Sequence, residues 1–370
     1  MKFVEKVIER FQQKKPVAVM TRMLLANTLS ASCMDRIFAD HRVRQLEGEL
    51  AFSAVADLMG EVVLQIQPSI NAAHRNSELA IAVRSVYNKL QGIETSVSRA
   101  VVRQTAVQMM GIIDKLGAAR PPLVDGYRTK IVDGNHLRHT DSRIGQLREQ
   151  NVSPLPGKAL VIYDPQYCLA TDVIPCECGH ASERSLLPEL LETIEPGDLL
   201  IADRNFCTLE FLFAIASANA KFIVRQHGIL PFELSGRRRR IGETETGIVY
   251  EQAIRCSDGS GNTRMFRRIT VHLYEPTRDG DVEVHIITNL PKRCSAIQIA
   301  NLYRKRWTIE TAFQNMAENL SGEIKTLGYP KAALFSFCMA LVSYNLFSVV
   351  RSAVGAVHGE EASEQFSMYY

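Results

Sequence analysis

From Phe3 to about Leu116 apolar residues return every three or four positions, as in Val4, Val7, Ile8 and Phe11, and again in Leu79, Ile81, Ala82, Val86 and Leu90. That period fits one face of an α-helix, so residues 1–120 are expected to form a helical domain. Gly117-Ala118-Ala119-Arg120-Pro121-Pro122 ends it, because successive prolines stop a helix. The pattern then shortens. Residues 129–132, 159–163, 168–173, 198–202 and 222–224 read as strands, with helices at 182–194 and 209–218. This predicts a mixed α/β layout over residues 121–225. In residues 226–295, Gly-containing turns at 258–261 and 278–281 separate β-like runs, including 268–274 and 282–288, as in a β-rich insertion. Helix returns at 296–320 and at 332–350, within a closing segment of residues 296–370. The stretch 332–350 is 19 residues without a charge, long enough for a bilayer. Ser336, Ser343, Tyr344, Asn345 and Ser348 interrupt it, which favours a helix buried against protein.

Composition narrows the class. With 46% hydrophobic and 22% charged residues in a chain of 370, the protein is globular rather than disordered. The first residues mix both charge signs and lack an apolar export signal, so a reducing compartment and free thiols are expected for the eight scattered cysteines. Net charge is only +3, yet residues 1–130 carry +6 and residues 221–306 carry +7, against −10 for the rest. Such alternation suits a protein that grips a polyanion and gathers carboxylates elsewhere. A solvated surface would look the same.

Three acids occupy places from which they can converge. Asp133 follows Lys130-Ile131-Val132, and Asp203 follows Leu199-Leu200-Ile201-Ala202, each at the expected close of a strand. Carboxylates at the ends of neighbouring strands face the crevice of an α/β sheet. Glu310 on a covering helix would complete an oxygen site for Mg²⁺ or Mn²⁺. Each acid can equally be a strand-end cap or a surface charge. In Tyr303-Arg304-Lys305-Arg306-Trp307-Thr308-Ile309-Glu310, helical spacing puts Tyr303, Arg306 and Glu310 on one face, with a phosphate-binding guanidinium one turn before the acid. Trp307 can stack on a base or pack its helix onto the sheet. Arg237-Arg238-Arg239-Arg240, expected in a turn of the insertion, is either a phosphate contact or a solvated loop. Cys168, Cys176, Cys178 and His180 lack the paired spacing of structural zinc sites.

The two strand-end motifs, Asp133-Gly134 and Ala202-Asp203-Arg204-Asn205-Phe206, with the Tyr303, Arg306, Glu310 spacing, resemble the DDE transposases of bacterial insertion sequences, in the insertion-sequence-four group. Phe222-Ile223-Val224-Arg225 and Thr288-Asn289-Leu290 are similar to it as well. The resemblance covers roughly residues 20–350. The separations of 70 and 107 residues between successive acids fit a group that inserts a β-domain between its second and third acids. The resemblance implies an RNase H-like core with Asp133, Asp203 and Glu310 as catalytic and metal-binding residues. It implies two Mg²⁺ or Mn²⁺ ions per site, cleavage of transposon-end DNA and transfer of the 3′-hydroxyl ends into target DNA. Tyr303, Arg306, Trp307, Arg204 and Arg237 to Arg240 are the DNA-binding candidates, the helical domain of residues 1–120 is expected to bind DNA as well, and a homodimer on paired ends is the expected assembly. The implied setting is a prokaryotic cytoplasm, at the nucleoid and away from membrane. The family's signature continues with a lysine seven residues after the glutamate, where this chain has Ala317. An inactive or nuclease-only relic that binds DNA is therefore the alternative.

Overall fold

A computed structural model describes residues 16–137, 157–179, 181–259, 261–277, 280–324, 327, 329–359 and 361–362. Among the described residues six helices come first: α1 (Pro16–Thr28), α2 (Ala31–His41), α3 (Phe52–Val63), α4 (Ile70–Asn76), α5 (Val83–Gly92) and α6 (Thr95–Lys115). Strands β1 (Arg128–His136), β2 (Lys158–Asp164) and β3 (Leu169–Cys176) follow, then α7 (Leu187–Leu191), β4 (Asp198–Ala202), α8 (Leu209–Ser217) and β5 (Lys221–Arg225). Next come β6 (Glu233–Thr244), β7 (Gly247–Ser257), β8 (Thr263–Leu273) and β9 (Glu283–Thr288), and last α9 (Ala296–Arg304), α10 (Trp307–Asn319) and α11 (Pro330–His358). The residues divide into two compact units. One holds the chain up to Pro121, Gly134–Ala181 and the chain from Ala312; the other holds Pro122–Asp133 and Ser182–Thr311.

In the first unit α11 is the central post, packed by α1, α3, α5, α6 and β3. Of its most apolar 18-residue window, 83% is buried inside the protein. The polar residues that break its apolar run have partners there. Asn345, wholly buried, accepts the Ala170 amide and donates to the Ala170 carbonyl, both at 2.8 Å, clasping β3. Ser336 donates to Gly322 O at 3.1 Å and Ser343 to Met339 O at 2.9 Å. Buried polar groups persist only when satisfied in this way, so these side chains fit α11 to a protein interior. All eight cysteines are free thiols.

The second unit is built on one sheet. The β1 residues up to Asp133 lie beside β4, followed in order by β5, β9, β8, β7 and β6. β1, β4 and β5 are parallel; from β5 outward each neighbour is antiparallel. The β-rich segment thus extends the same sheet, β9 pairing Ile223 with Thr288. α8 connects β4 to β5, capped by Thr208, whose hydroxyl accepts the Phe211 amide at 3.3 Å. Phe213 and Phe222 both meet Phe266 edge-on, which joins α8, β5 and β8 in one core. α9 packs against β5, β6, β7 and β8.

Two expected helices come out differently. Over 182–194 the chain makes a 3₁₀ turn, Glu183–Leu186, and then only α7. Pro188 has no N–H to bond backwards, so it can begin a helix but cannot continue one. Residues 296–320 form two helices rather than one. Between them the Arg306, Thr308 and Ile309 amides bond to carbonyls three residues back, the tight turn that separates α9 from α10.

Candidate active site

The register of β1 on β4 pairs Val132 with Ala202. The next residue on each strand is an aspartate, so Asp133 and Asp203 stand side by side at the carboxyl end of the parallel pairing, where the crevice of such a sheet lies. β1 itself runs on to His136, which places Asp133 inside the strand rather than at its close. β4 does end at Ala202, and Asp203 caps a 3₁₀ turn over Arg204–Phe206, Oδ1 accepting the Arg204 amide at 2.5 Å. The capping reading of Asp203 therefore holds, while its second oxygen is not used by that turn.

The turn between α9 and α10 brings Arg306 to the acids. Its Nη1 donates to Asp133 Oδ2 at 3.1 Å and its Nη2 to Glu310 Oε1 at 2.6 Å. Tyr303, Arg306 and Glu310 thus come together across a helix break, not along one continuous helical face. Arg306 is 8% exposed, and its buried Nε–H makes no hydrogen bond of good geometry among the described residues, although the Tyr303 side chain lies close enough to interact with the guanidinium. Burial pulls the pKa of Arg306 down, but Tyr303, Asp133, Glu310 and Asp203 outweigh it and the net direction is up. Tyr303 is equally buried, and chiefly for that reason its phenol is pushed up to about 12. Arg306 and Arg225 oppose that shift and Asp203 adds to it, so the hydroxyl stays protonated, able to donate, throughout the neutral range.

Asp133, Asp203 and Glu310 offer the hard oxygens that Mg²⁺ and Mn²⁺ prefer. As placed they do not make a metal site. Among the described residues no three Asp, Glu, His or Cys side chains group to hold an ion, and the Arg306 guanidinium stands between two of the acids. The same holds for Cys168, Cys176 and Cys178; His180 lies outside the described residues.

The other candidates are Arg204 and Trp307, next in sequence to Asp203 and Arg306, and the arginine run on the far edge of the sheet. Arg204 is exposed beside Asp203. Trp307 is 57% exposed with the Arg306 guanidinium 5.3 Å from its ring, so packing onto the sheet is not its role. Arg237 to Arg240 lie on the edge strand β6 rather than in a turn. There Gly236, at φ +80°, opens a bulge, and the register jumps from Ser235 to Arg239. Arg238 pairs with Glu283 at 2.7 Å and lies 4.1 Å from the Tyr250 ring; Arg240 reaches Glu243 only at 4.0 Å. The side chain of Ala317 lies outside the described residues.

Sequence reasoning missed a second charged cluster because its members are distant along the chain. Arg225 pairs with Asp281 at 2.6 Å, Arg268 donates to Gln226 at 2.6 Å, and Glu283 contacts Arg238, His272 and His285. Burial first, then Arg268, Arg238 and Arg225, lower the His285 pKa to about 4 against the opposing pull of Glu283. The unfolded chain would take up that proton near pH 6.5, the folded chain only near 4. Stability should therefore fall as pH drops from about 6.5 towards about 4. His285→Gln should shrink that fall, measured by urea unfolding at the two ends of the window; an unchanged fall would clear His285 of the effect.

A mixed sheet with acids on adjacent parallel strands, a third acid on a following helix and a buried arginine that pairs with two of them defines an α/β protein with a charged cluster beside its parallel strands. The chain belongs to the family of the transposase DDE domain, whose family model matches residues 125–346. Over 160 residues it is 28% identical to the putative transposase y4zB of Sinorhizobium fredii (strain NBRC 101917 / NGR234), covering 42% of this chain and 43% of that protein. Over 164 residues it is 24% identical to the probable transposase for insertion sequence element IS5377 of Geobacillus stearothermophilus, covering 44% of this chain and 41% of the relative. The matched regions are thus less than half the length of either relative.

Proposed function

We propose that this chain is a transposase of the insertion-sequence-four group, with an RNase H-like core, that cleaves the DNA ends of its own element and transfers their 3′-hydroxyls into target DNA. One observation carries this reading: Asp133, Glu310 and the protonated Tyr303 surround a buried arginine whose Nε–H makes no hydrogen bond of good geometry among the described residues. A guanidinium with a donor to spare suits a phosphodiester, which presents several acceptor oxygens at once. Arg306 would hold a phosphate beside the reacting bond and Tyr303 would donate to a second oxygen, fixing the in-line geometry that phosphoryl transfer needs. Divalent ions, two per site in this reading, would supply charge stabilisation and an activated nucleophile, with Asp133, Asp203 and Glu310 as the ligands on offer. Terminal inverted repeats, target DNA and a second copy of the chain are the proposed partners, and bacterial chromosomal DNA the proposed setting.

The test uses DNA carrying the sequences that flank the gene, scored for cleavage, and the same ends already cut, scored for joining. Cleavage with joining supports a transposase. Cleavage alone leaves a nuclease, and binding alone leaves the relic that the alanine at position 317 allows.

β6 gives this reading a separate measurement. Arg237 and Arg239 are exposed and, unlike Arg238, have no carboxylate partner among the described residues, so they are the members of the run best placed to meet phosphate. Replacing both with Ala should reduce the dependence of log K on log salt by up to about 1.8, at roughly 0.9 per phosphate contact. The loss should be alike for specific and random DNA. A slope equal to wild type would return the run to plain solvated surface.

A further inference from the structure

We infer that the first unit carries a binding pocket for a free long-chain fatty acid, with the acyl chain in the groove between α1 and α11 and the carboxylate at Arg22 and Thr21. A cavity of about 680 Å³ lies there, walled by Leu25 on one helix and by Leu346 and Val350 on the other. Pockets for small molecules are roughly 300–1,000 Å³ in volume, mostly apolar, with a few polar groups that fix the ligand. This cavity has that make-up. Its lining follows α1 along its 13 residues, about 20 Å of helix, which suits an extended chain better than a compact ring.

Charge selects the head group. Among the described residues that line the cavity, Arg22 and His358 are the only ionisable ones, both exposed at its rim, and neither α1 nor α11 contains an Asp or Glu. A guanidinium beside an apolar groove without acids attracts an anion with an apolar body. A hydroxyl points the same way. Thr21 is 4% exposed and lines the cavity, and its buried Oγ1 has no hydrogen-bond partner among the described residues. Thr28 on the same helix instead donates to Leu24 O at 3.0 Å, the usual resort of a helical threonine. An unpaired buried hydroxyl costs stability, and a carboxylate oxygen held by Arg22 would accept it. The chain supplies the affinity, at roughly fourfold per buried methylene. Because α1, α3, α5, α6 and β3 all pack on α11, a ligand seated against that helix binds the folded unit and holds it folded.

Equilibrium dialysis of radiolabelled laurate against the full chain tests this, with decanoate, octanoate and dodecanol as comparison probes and no DNA present. Wild type should take up a single laurate; decanoate should bind about tenfold more weakly and octanoate about a hundredfold. Dodecanol keeps the chain without the charge and should fall about tenfold below laurate. Arg22→Gln should bring laurate down to the dodecanol level. Thr21→Val should weaken laurate several-fold while raising the urea midpoint of the ligand-free chain, since it removes the unpaired hydroxyl. Ala26→Trp should abolish uptake by filling the groove from its exposed rim, whereas Met23→Trp, exposed and outside the lining, should bind as wild type. Ala18→Trp, also exposed in the lining, replaces Ala26→Trp if that variant does not fold. Laurate at about a hundred times its Kd should favour folded wild type roughly a hundredfold in urea and leave the filled variant unchanged. No uptake by wild type, or uptake that Arg22→Gln and the filling variant leave intact, overturns the inference. A dimer that the filling variant dissociates, in a chain that takes up no laurate, gives the groove to a second copy and overturns it too. So does binding to phosphatidylglycerol vesicles, lost in the filling variant, without uptake of free laurate.

Discussion

Asp133→Asn, Asp203→Asn and Glu310→Gln are each expected to lower end cleavage by about 10²–10³-fold or more, the scale of losing one charge contact to a reacting group in a preorganised site. Each change removes a negative charge and almost no volume, so the fold should be kept. DNA binding should not fall with activity. Asp133 and Glu310 compete with phosphate for the Arg306 guanidinium, at 3.1 and 2.6 Å, and removing either charge loosens that hold. Affinity for DNA should therefore be equal to wild type or modestly higher for Asp133→Asn and Glu310→Gln. Asp203→Asn differs, because among the described residues the ion pairs of Arg306 are with Asp133 and Glu310, while Asp203 caps the Arg204 amide; the amide oxygen of Asn can still accept that bond. The measurement is cleavage rate beside duplex affinity on the same preparations. A variant that cuts at near wild-type rate takes its residue out of the site.

Much of this centre was legible in the sequence because it depends on short-range pattern. The runs of apolar residues before Asp133 and Asp203 dictate buried strands, and a parallel pairing of such strands delivers both acids to one end. The Tyr303, Arg306, Glu310 spacing likewise placed three groups together, although the helix breaks between Arg304 and Trp307. That break has no turn signal in the sequence: Lys305 and Arg306 are ordinary helix residues, and the swing is compensated by a bond to Asp133, 173 residues away. The arginine run, following Ser235-Gly236, is expected in a turn. It is a strand because β6 is an edge, where charged side chains face solvent and discourage further pairing. Asp281, Glu283 and His285 gave no signal at all; their meaning comes from β5, β8 and β6, which only the antiparallel register brings beside them.

The strand alignment that sets the site is itself held by a charge cluster at the opposite end of the same two strands. Asp198, wholly buried, opens β4 opposite Arg128. Its oxygens accept Arg128 Nε at 2.9 Å, Lys130 Nζ at 2.6 Å and the Glu195 amide at 2.8 Å. Arg128 is 55% exposed and contributes little, whereas the Lys130 side chain is 22% exposed and would be left without its counter-charge. Asp198→Ala is accordingly expected to destabilise the protein by about 2–4 kcal/mol, read as a drop in the urea midpoint, and Asp198→Asn by less, because it still accepts hydrogen bonds. The paired change Asp198→Leu with Lys130→Met should recover most of that loss, since a well-packed apolar pair often replaces a buried ion pair at no cost. Stability and register then separate. If the ion pair fixes β1 on β4, the apolar pair will restore the urea midpoint yet leave end cleavage depressed, because a slip of one residue would turn Asp133 to the other face of the sheet. Full recovery of cleavage together with stability would show instead that the apolar core of the sheet alone sets the alignment of Asp133 with Asp203.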